Sequence, residues 1–365
     1  MRKLAKTLTV LAAVATLSLT ACGRSDTDSE AAKAGTALSG FPQDSVIGVA
    51  LPKKTSENWT LAENLFNSGL TKAGFKPNVQ FANNGVSEQQ NQISTMITSG
   101  AKVIIVGAVD GAQLGTQLQQ AKDAGAVIIA YDRLLTNTKA VDYYVAYDNF
   151  KVGELQGQAL LNGLKAKKPS GPYNVELFAG SPDDANSKVF FDGAMSVLKP
   201  KIDDGTLKVV SGQADFTKAV TQDWKPENAQ RRMDSLLSGS YASATLDGVL
   251  SPNDTLARAI LTSVKSAGKP TPVVTGQDSE LESVKSIMAG QQYSTINKDT
   301  RKLVEHAITM VKDLQQGVAL EINDNRNYKN EFKRVPAYLL PPVIVTKENV
   351  KTAYVDDPVL GPITK

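Results

Sequence analysis

The 365-residue chain holds one cysteine, Cys22, and one histidine, His306. A lone cysteine excludes a disulfide framework, so the fold must be held by its packed core. A lone histidine, set in the helical stretch 301–314 with no cysteine or second histidine near it in sequence, argues against a His/Cys metal site. No oxygen-rich loop has calcium-ligand spacing. Gly107-Ala108-Val109-Asp110-Gly111 lacks both the Lys-Ser/Thr of a P-loop and the spacing of a dinucleotide fingerprint. No cofactor is therefore expected. Tryptophan is scarce, with only Trp59 and Trp224, and after residue 21 no apolar run is long enough to cross a bilayer. Excess charge is missing as well. Without Arg2, Lys3 and Lys6, the 40 basic residues fall to 37, against 37 acidic ones. A formally neutral body gives no electrostatic reason to bind nucleic acid or an anionic surface.

Arg2, Lys3 and Lys6 precede an apolar stretch from about Leu8 to Leu19, too short for a permanent span, followed by Thr20-Ala21-Cys22-Gly23. This has the layout of a secretory signal over residues 1–21. With the only cysteine directly after the small residues, it resembles a lipobox, which implies lipidation of Cys22 and tethering to the outer side of the cytoplasmic membrane. An ordinary secreted protein with a chance cysteine is the alternative. Residues 22–43 are rich in Ser, Asp, Thr, Ala, Gly and Lys and read as a flexible tether. Stretched, it would reach on the order of 70 Å.

From Ser45 the pattern alternates. Val46–Leu51, 79–81, 103–106 and 127–131 are short β-branched runs, separated by helical patterns over 59–73, 87–99 and 110–124. The first helix carries Leu61, Leu65, Phe66 and Leu70 at helical spacing. The alternation restarts at Tyr144–Tyr147, with a helix over 152–164, strands at 174–178, 208–210, 247–250, 272–275 and 293–296, and a helix near 185–198. Near-continuous apolar strands between helices predict parallel sheets covered on both faces, in two doubly wound α/β lobes.

Ligands of such sheets lie beyond the carboxyl ends of the strands. There the sequence places Asp132-Arg133, Asp148-Asn149, Gly180-Ser181-Pro182-Asp183-Asp184 with Asn186, Ser251-Pro252-Asn253-Asp254, Gly276-Gln277-Asp278, and Asn297-Lys298. Any one Asp or Asn could simply cap a helix. Six such groups at one topological position point to a cleft. Carboxylates accept from adjacent hydroxyls while Arg or Lys donates to a hydroxyl or ring oxygen, a set suited to an uncharged polyhydroxylated ligand. Trp59 and Trp224 lie in connections amid polar neighbours. There an indole can stack on the C–H face of a sugar, although a tryptophan can equally be core.

These residues give the chain a marked resemblance to extracytoplasmic sugar-binding proteins of the ribose/galactose/xylose type, most of all the multiple-monosaccharide and xylose-binding branch. The matching stretches are 129–134, 143–149 with 151–156, 180–184, 192–200, 276–278 and 336–340, and the similarity runs from about Ser45 to the C-terminus. The resemblance implies a type I periplasmic binding protein fold with a three-segment hinge near 149–150, 298–299 and 334–336. One lobe is then 44–149 plus 299–335, the other 150–298 plus 336–365.

It further implies that Asp132 and Arg133 bind sugar hydroxyls, that Trp59 and Trp224 sandwich the ring, that Asp254 and Asp278 accept, that Lys298 donates, and that Asn186 and Asn253 supply amide contacts. Asp148 is a weaker transfer. Relatives usually carry Arg before the first Trp. Here Asn58 stands in that place, which removes a bidentate donor and bears on which sugar fits.

The implied function is non-enzymatic: the ligand-capture subunit of a sugar ABC importer, a monomer that takes up xylose, glucose, galactose or arabinose and docks on a permease. The alternative partner is a membrane sensor kinase, with the protein acting as sugar-sensing co-receptor. A glycosidase reading of Asp183-Asp184 is disfavoured because adjacent loop residues seldom face one reacting centre. A lac-repressor-type regulator shares the fold but needs an N-terminal DNA-binding unit where this chain has a signal and tether.

Overall fold

The computed structural model describes residues 40–365 except Thr55. The signal, Cys22 and most of the tether lie outside the described residues. In chain order the first part comprises Val46–Leu51 (β1), Glu57–Lys72 (α1), Lys76–Phe81 (β2), Val86–Thr98 (α2), Val103–Val106 (β3), Gly115–Asp123 (α3), Val127–Tyr131 (β4) and Tyr143–Tyr147 (β5). The middle runs through Asn149–Lys167 (α4), Tyr173–Leu177 (β6), Ala185–Asp203 (α5), Leu207–Val209 (β7), Phe216–Ala219 (α6), Pro226–Ser238 (α7) and Gly248–Leu250 (β8). It continues with Asp254–Ser266 (α8), Val273–Val274 (β9), Leu281–Met288 (α9) and Ser294–Asn297 (β10). Thr300–Gln316 (α10), Ala337–Leu340 (β11), Val343–Thr346 (β12), Val350–Ala353 (α11) and Leu360–Ile363 (α12) complete it.

One parallel sheet has the order β11-β5-β4-β3-β1-β2, the other β7-β6-β8-β9. In each, the order reverses around the first strand, so loops after neighbouring strands diverge and leave a crevice. The apolar runs arise because both faces are covered. Ile47, Val49 and Leu51 point to α1 and α10, while Ala50 points to the α2–α3 side. On α1 the buried stripe is Trp59, Ala62, Phe66 and Leu70. Leu61, counted in the apolar face from spacing alone, is 42% exposed.

Three features differ from the sequence reading. The strand at 293–296 does not extend a parallel sheet: β10 pairs antiparallel with β12. The third crossover comes later than 334–336. Strand β11 runs parallel to β5 with Ala337 opposite Tyr144 and Leu340 opposite Tyr147, so 337–340 belong to the first sheet. The chain leaves at Pro341-Pro342, which have no N–H to continue the ladder. The tether also ends before residue 43. Phe41 packs against Phe75 with ring centroids 6.2 Å apart, its carbonyl accepts from Gln315 at 3.1 Å, and Gln43 donates to the Ala73 carbonyl at 3.2 Å. The apolar Phe41 is what draws these residues onto the body. His306 stacks on Tyr338, at 3.4 Å between centroids, joining α10 to β11.

In the second lobe α4 and α5 cross in close contact. A Cβ on Gly153 would sit 2.0 Å from the Phe190 carbonyl oxygen, and one on Gly193 2.2 Å from that of Phe150. These two glycines let the backbones touch, which presses the start of α5 against the first hinge segment. Among the described residues no helix is long and apolar enough to cross a membrane.

Candidate functional site

Strand ends from both lobes converge on a small, mostly polar cavity between them. From the first lobe come Ser56, Asn58, Trp59, Asp132 and Arg133. From the second come Asp184, Asn186, Phe190, Trp224, Asn253, Gln277, Asp278 and Lys298.

Asp132 ends β4 in a left-handed conformation (φ 60°), unusual for a non-glycine residue and tolerated best by Asp and Asn. The turn is held through its carbonyl, which accepts from the Tyr144 hydroxyl at 2.6 Å and from Asn186 Nδ2 at 2.9 Å. Asn186 also accepts from Asn149 Nδ2 at 2.9 Å. Its amide thus ties the start of α5 to the hinge and to the Asp132 turn. Burial raises the Asp132 carboxyl above the usual carboxylate range, and the Lys298 ammonium opposes that shift.

Arg133 reaches across the cleft. Its Nε lies 2.9 Å from Asp184 Oδ2, its Nη1 donates to the Ala108 carbonyl at 2.9 Å, and its guanidinium lies 5.3 Å from the Trp59 ring centroid. Asp184 is both cap and wall: it accepts from the Asn186 amide at 2.9 Å and from Trp224 Nε1 at 3.2 Å. Asn253 is likewise double, since its Oδ1 caps α8 through the Leu256 amide at 3.0 Å while the residue lines the cavity. Cap and ligand contact are therefore not exclusive roles.

Lys298 Nζ sits 3.0 Å from Asp278 Oδ1, with both side chains under a tenth exposed. Desolvation alone would lower the Lys298 pKa, but the charges of Asp278, Asp132 and Asp184 outweigh it, and the net shift is upward. Arg133 Nε and Asp278 Oδ1 are held in these ion pairs, whereas Gln277 Oε1 is buried with no hydrogen-bond partner among the described residues. A buried polar atom in that state is costly unless a bound molecule satisfies it.

The two indoles have built seats. Trp59 packs edge-on against Tyr131 at 6.2 Å, beside Gly107, where a Cβ would lie 3.1 Å from its ring. Trp224 follows Asp223 in two consecutive left-handed residues, φ 58° and 55°. Its ring lies over Gly180, where a Cβ would come within 2.1 Å.

Two residues named from the sequence fall outside the cavity wall. Asp148 caps α4, accepting from the Lys151 amide at 3.1 Å, because the strand it ends leads straight into a helix needing that acceptor. Asp254 is fully buried and accepts from Gln292 at 2.8 Å, Thr295 Oγ1 at 2.9 Å and the Glu280 amide at 3.0 Å. Burial, with Glu280 adding to it, raises its pKa well above the ordinary value. It braces the loop that carries Asp278 (φ 92°) from behind.

Four wall residues were not chosen from the sequence. Asp184 and Gln277 stood at named strand ends. Phe190 lies four residues after Asn186, hence on the same helix face, and its ring is 5.3 Å from Lys298 Nζ. Ser56 Oγ donates a hydrogen bond to Asn58 Oδ1.

Two lobes around a polar chamber are the architecture of a solute-binding receptor, and known proteins of similar sequence and fold are of that class. Residues 47–319 match the periplasmic binding protein domain. The chain is 48% identical over 315 residues to the multiple sugar-binding periplasmic receptor ChvE of Rhizobium radiobacter, covering 85% of this chain and 89% of that one. It is 34% identical to the D-xylose-binding periplasmic protein of Escherichia coli, covering 85% and 89%. Among solved structures, an ABC transporter solute-binding protein from Clostridium phytofermentans with bound β-D-glucose superposes with TM-score 0.83 at 39% identity, covering 86% of this chain and 98% of that one. The chain belongs to the periplasmic binding protein family and has its type I fold.

Proposed function

We propose that this chain captures a neutral monosaccharide outside the cytoplasmic membrane and presents it, lobes closed, to the permease of an ABC importer. One observation carries the reading. Asp132, Arg133, Asp184, Asn253, Gln277, Asp278 and Lys298 share a small chamber with two tryptophans. Carboxylates and cations in alternation suit vicinal hydroxyls through charge-assisted bonds. The indoles suit the apolar faces of a pyranose, with Trp59 and Trp224 as the sandwich. Three carboxylates face two cations, which disfavours anionic sugar acids. The relatives support the same class, being a multiple sugar-binding receptor, a D-xylose-binding protein and a solute-binding protein with bound β-D-glucose. The protein works by binding and release, without chemistry on its ligand. Since one relative is described as a receptor, a sensor kinase is a second partner for the closed form, and co-purification with permease or kinase separates the two.

Titrating intrinsic tryptophan fluorescence with D-xylose, D-glucose, D-galactose and L-arabinose is expected to give saturation at about micromolar sugar (on the order of 8 kcal/mol of binding free energy) for at least one. Silence across a wider panel of pentoses and hexoses, from protein shown folded by circular dichroism, would overturn the monosaccharide assignment.

The lipobox-like Thr20-Ala21-Cys22-Gly23 further supports processing before Cys22 and acylation of its thiol. Mass spectrometry of the membrane-extracted protein should show residues 1–21 removed and a lipid on Cys22. A free thiol at that position would refute the anchor.

A further inference from the structure

Lys53 follows β1 in the first lobe, and Asp223 immediately precedes Trp224 in the second. Their Nζ and Oδ1 atoms are 2.8 Å apart across the cleft, with side chains 29% and 26% exposed. Asp223 is the first of the two left-handed residues that aim the Trp224 indole, and its amide donates to the buried Ser181 Oγ at 2.7 Å. Trp224 and Arg133, which line the main chamber, also line a second, small interlobe pocket together with Lys53, Val109, Asp183 and Asp223. Neither Lys53 nor Asp223 lines the main chamber, and both keep part of their side chains in solvent. Lys225, in the same lobe as Asp223, is 3.3 Å from the other carboxylate oxygen and 54% exposed. Lys225 shares a lobe with Asp223, so its contact needs no approach of the lobes, whereas the Lys53 contact spans them.

We propose that Lys53 is a positioning residue for ligand capture: its pair with Asp223 forms as the lobes close and holds the 223–224 turn so that Trp224 stays seated against the ligand. The proposal rests on the carbohydrate reading above for its ligand, but not for the closure step itself. Ligand entry precedes the contact, so the pair sets residence time and leaves the association rate alone. A partly exposed pair of this kind is worth up to a few-fold in an equilibrium constant and is weakened by salt.

The test is stopped-flow binding of a monosaccharide that saturates the wild-type protein, together with interlobe distances in ligand-free protein from spin labels placed at exposed Lys72 and Lys199. Lys53→Met is expected to raise the dissociation rate roughly five-fold with the association rate within two-fold. Lys53→Arg should restore slow dissociation, Lys225→Met should change little, and Lys53→Met should add nothing in an Asp223→Asn background. Without ligand, Lys53→Met should shift the labels toward the longer, open distance. Unchanged dissociation and unchanged distances in folded Lys53→Met would overturn the proposal, as would a fall confined to the association rate. If the wild-type protein binds no sugar, the carbohydrate reading fails, and the distance distributions alone decide the role of Lys53.

Discussion

Gly180→Ala is expected to weaken sugar binding by roughly 100-fold while leaving the protein folded. The added Cβ would lie 2.1 Å from Trp224 Cη2 and Cζ2 and 2.6 Å from Ser187 Oγ, whereas carbon atoms in contact settle near 3.5–4.0 Å. The indole must move outward by more than an ångström. That displacement breaks its Nε1–H bond to Asp184 and spoils one wall of the chamber. Loss of a seated aromatic anchor typically costs ~2–4 kcal/mol of binding, and 2.7 kcal/mol corresponds to about 100-fold. Overpacking costs about 1–3 kcal/mol of stability. Adding Trp224→Phe, a smaller ring, should recover part of the stability and none of the affinity. Isothermal titration and urea unfolding of the single and double variants check both parts. A loss of affinity below three-fold in Gly180→Ala would show that Trp224 is not a ligand wall.

Asp278→Asn is expected to cost both stability and binding, and Lys298→Met in the same protein to return only the first. The substitution keeps a side chain that tolerates the left-handed backbone at φ 92° but removes the carboxylate 3.0 Å from Lys298 Nζ. An ammonium left buried without its nearest counter-charge destabilises by about 3–5 kcal/mol. Asp132 and Asp184 still act on Lys298, so the low end, about 3 kcal/mol, is expected. Sugar affinity should fall about 10- to 100-fold, since hydrogen bonds to charged groups contribute ~1.5–3 kcal/mol. The double variant removes the unpaired charge and should regain most of the stability while binding stays weak.

Alkaline pH offers a second measure of the same pair. The Lys298 pKa is raised in the folded protein, so its stabilisation is complete below the ordinary lysine value of 10.5 and is lost as pH rises through the higher folded value. Asp278→Asn should flatten that alkaline loss in urea-unfolding curves. An unchanged alkaline profile would mean that Asp278 does not hold the Lys298 charge.

Much of this arrangement is legible in the chain because its local signals agree. Val103–Val106 and Val127–Tyr131 appear as strands at the positions read from the pattern, since a strand covered on both faces shows as a short, β-branched run that is apolar throughout. Polar residues at strand ends are likewise visible, because the topology of a doubly wound sheet puts ligands there. What local pattern could not decide was which of those residues face the cleft. Asp148, Asp184 and Asn253 all cap helices by the same chemistry, yet only the last two also line the chamber. Asp254 and Asp278 stand 24 positions apart at equivalent strand ends, one sealed behind the loop and the other at its surface.

By itself the sequence determined the strand–helix alternation, the two-lobed class, and the inventory of carboxylates, cations and indoles at the strand termini, since all of these follow from periodicity and from which residue types precede helices. Only the tertiary structure decided the rest. It keeps 337–340 in the first sheet through pairing with β5, folds Phe41 onto the body, sets Asp184 between Arg133 and Trp224, and brings Lys53 to Asp223 across 170 residues of chain. Contacts of that kind arise from long-range packing and the closure of one lobe on another, and no interval in the sequence encodes the distance between two lobes.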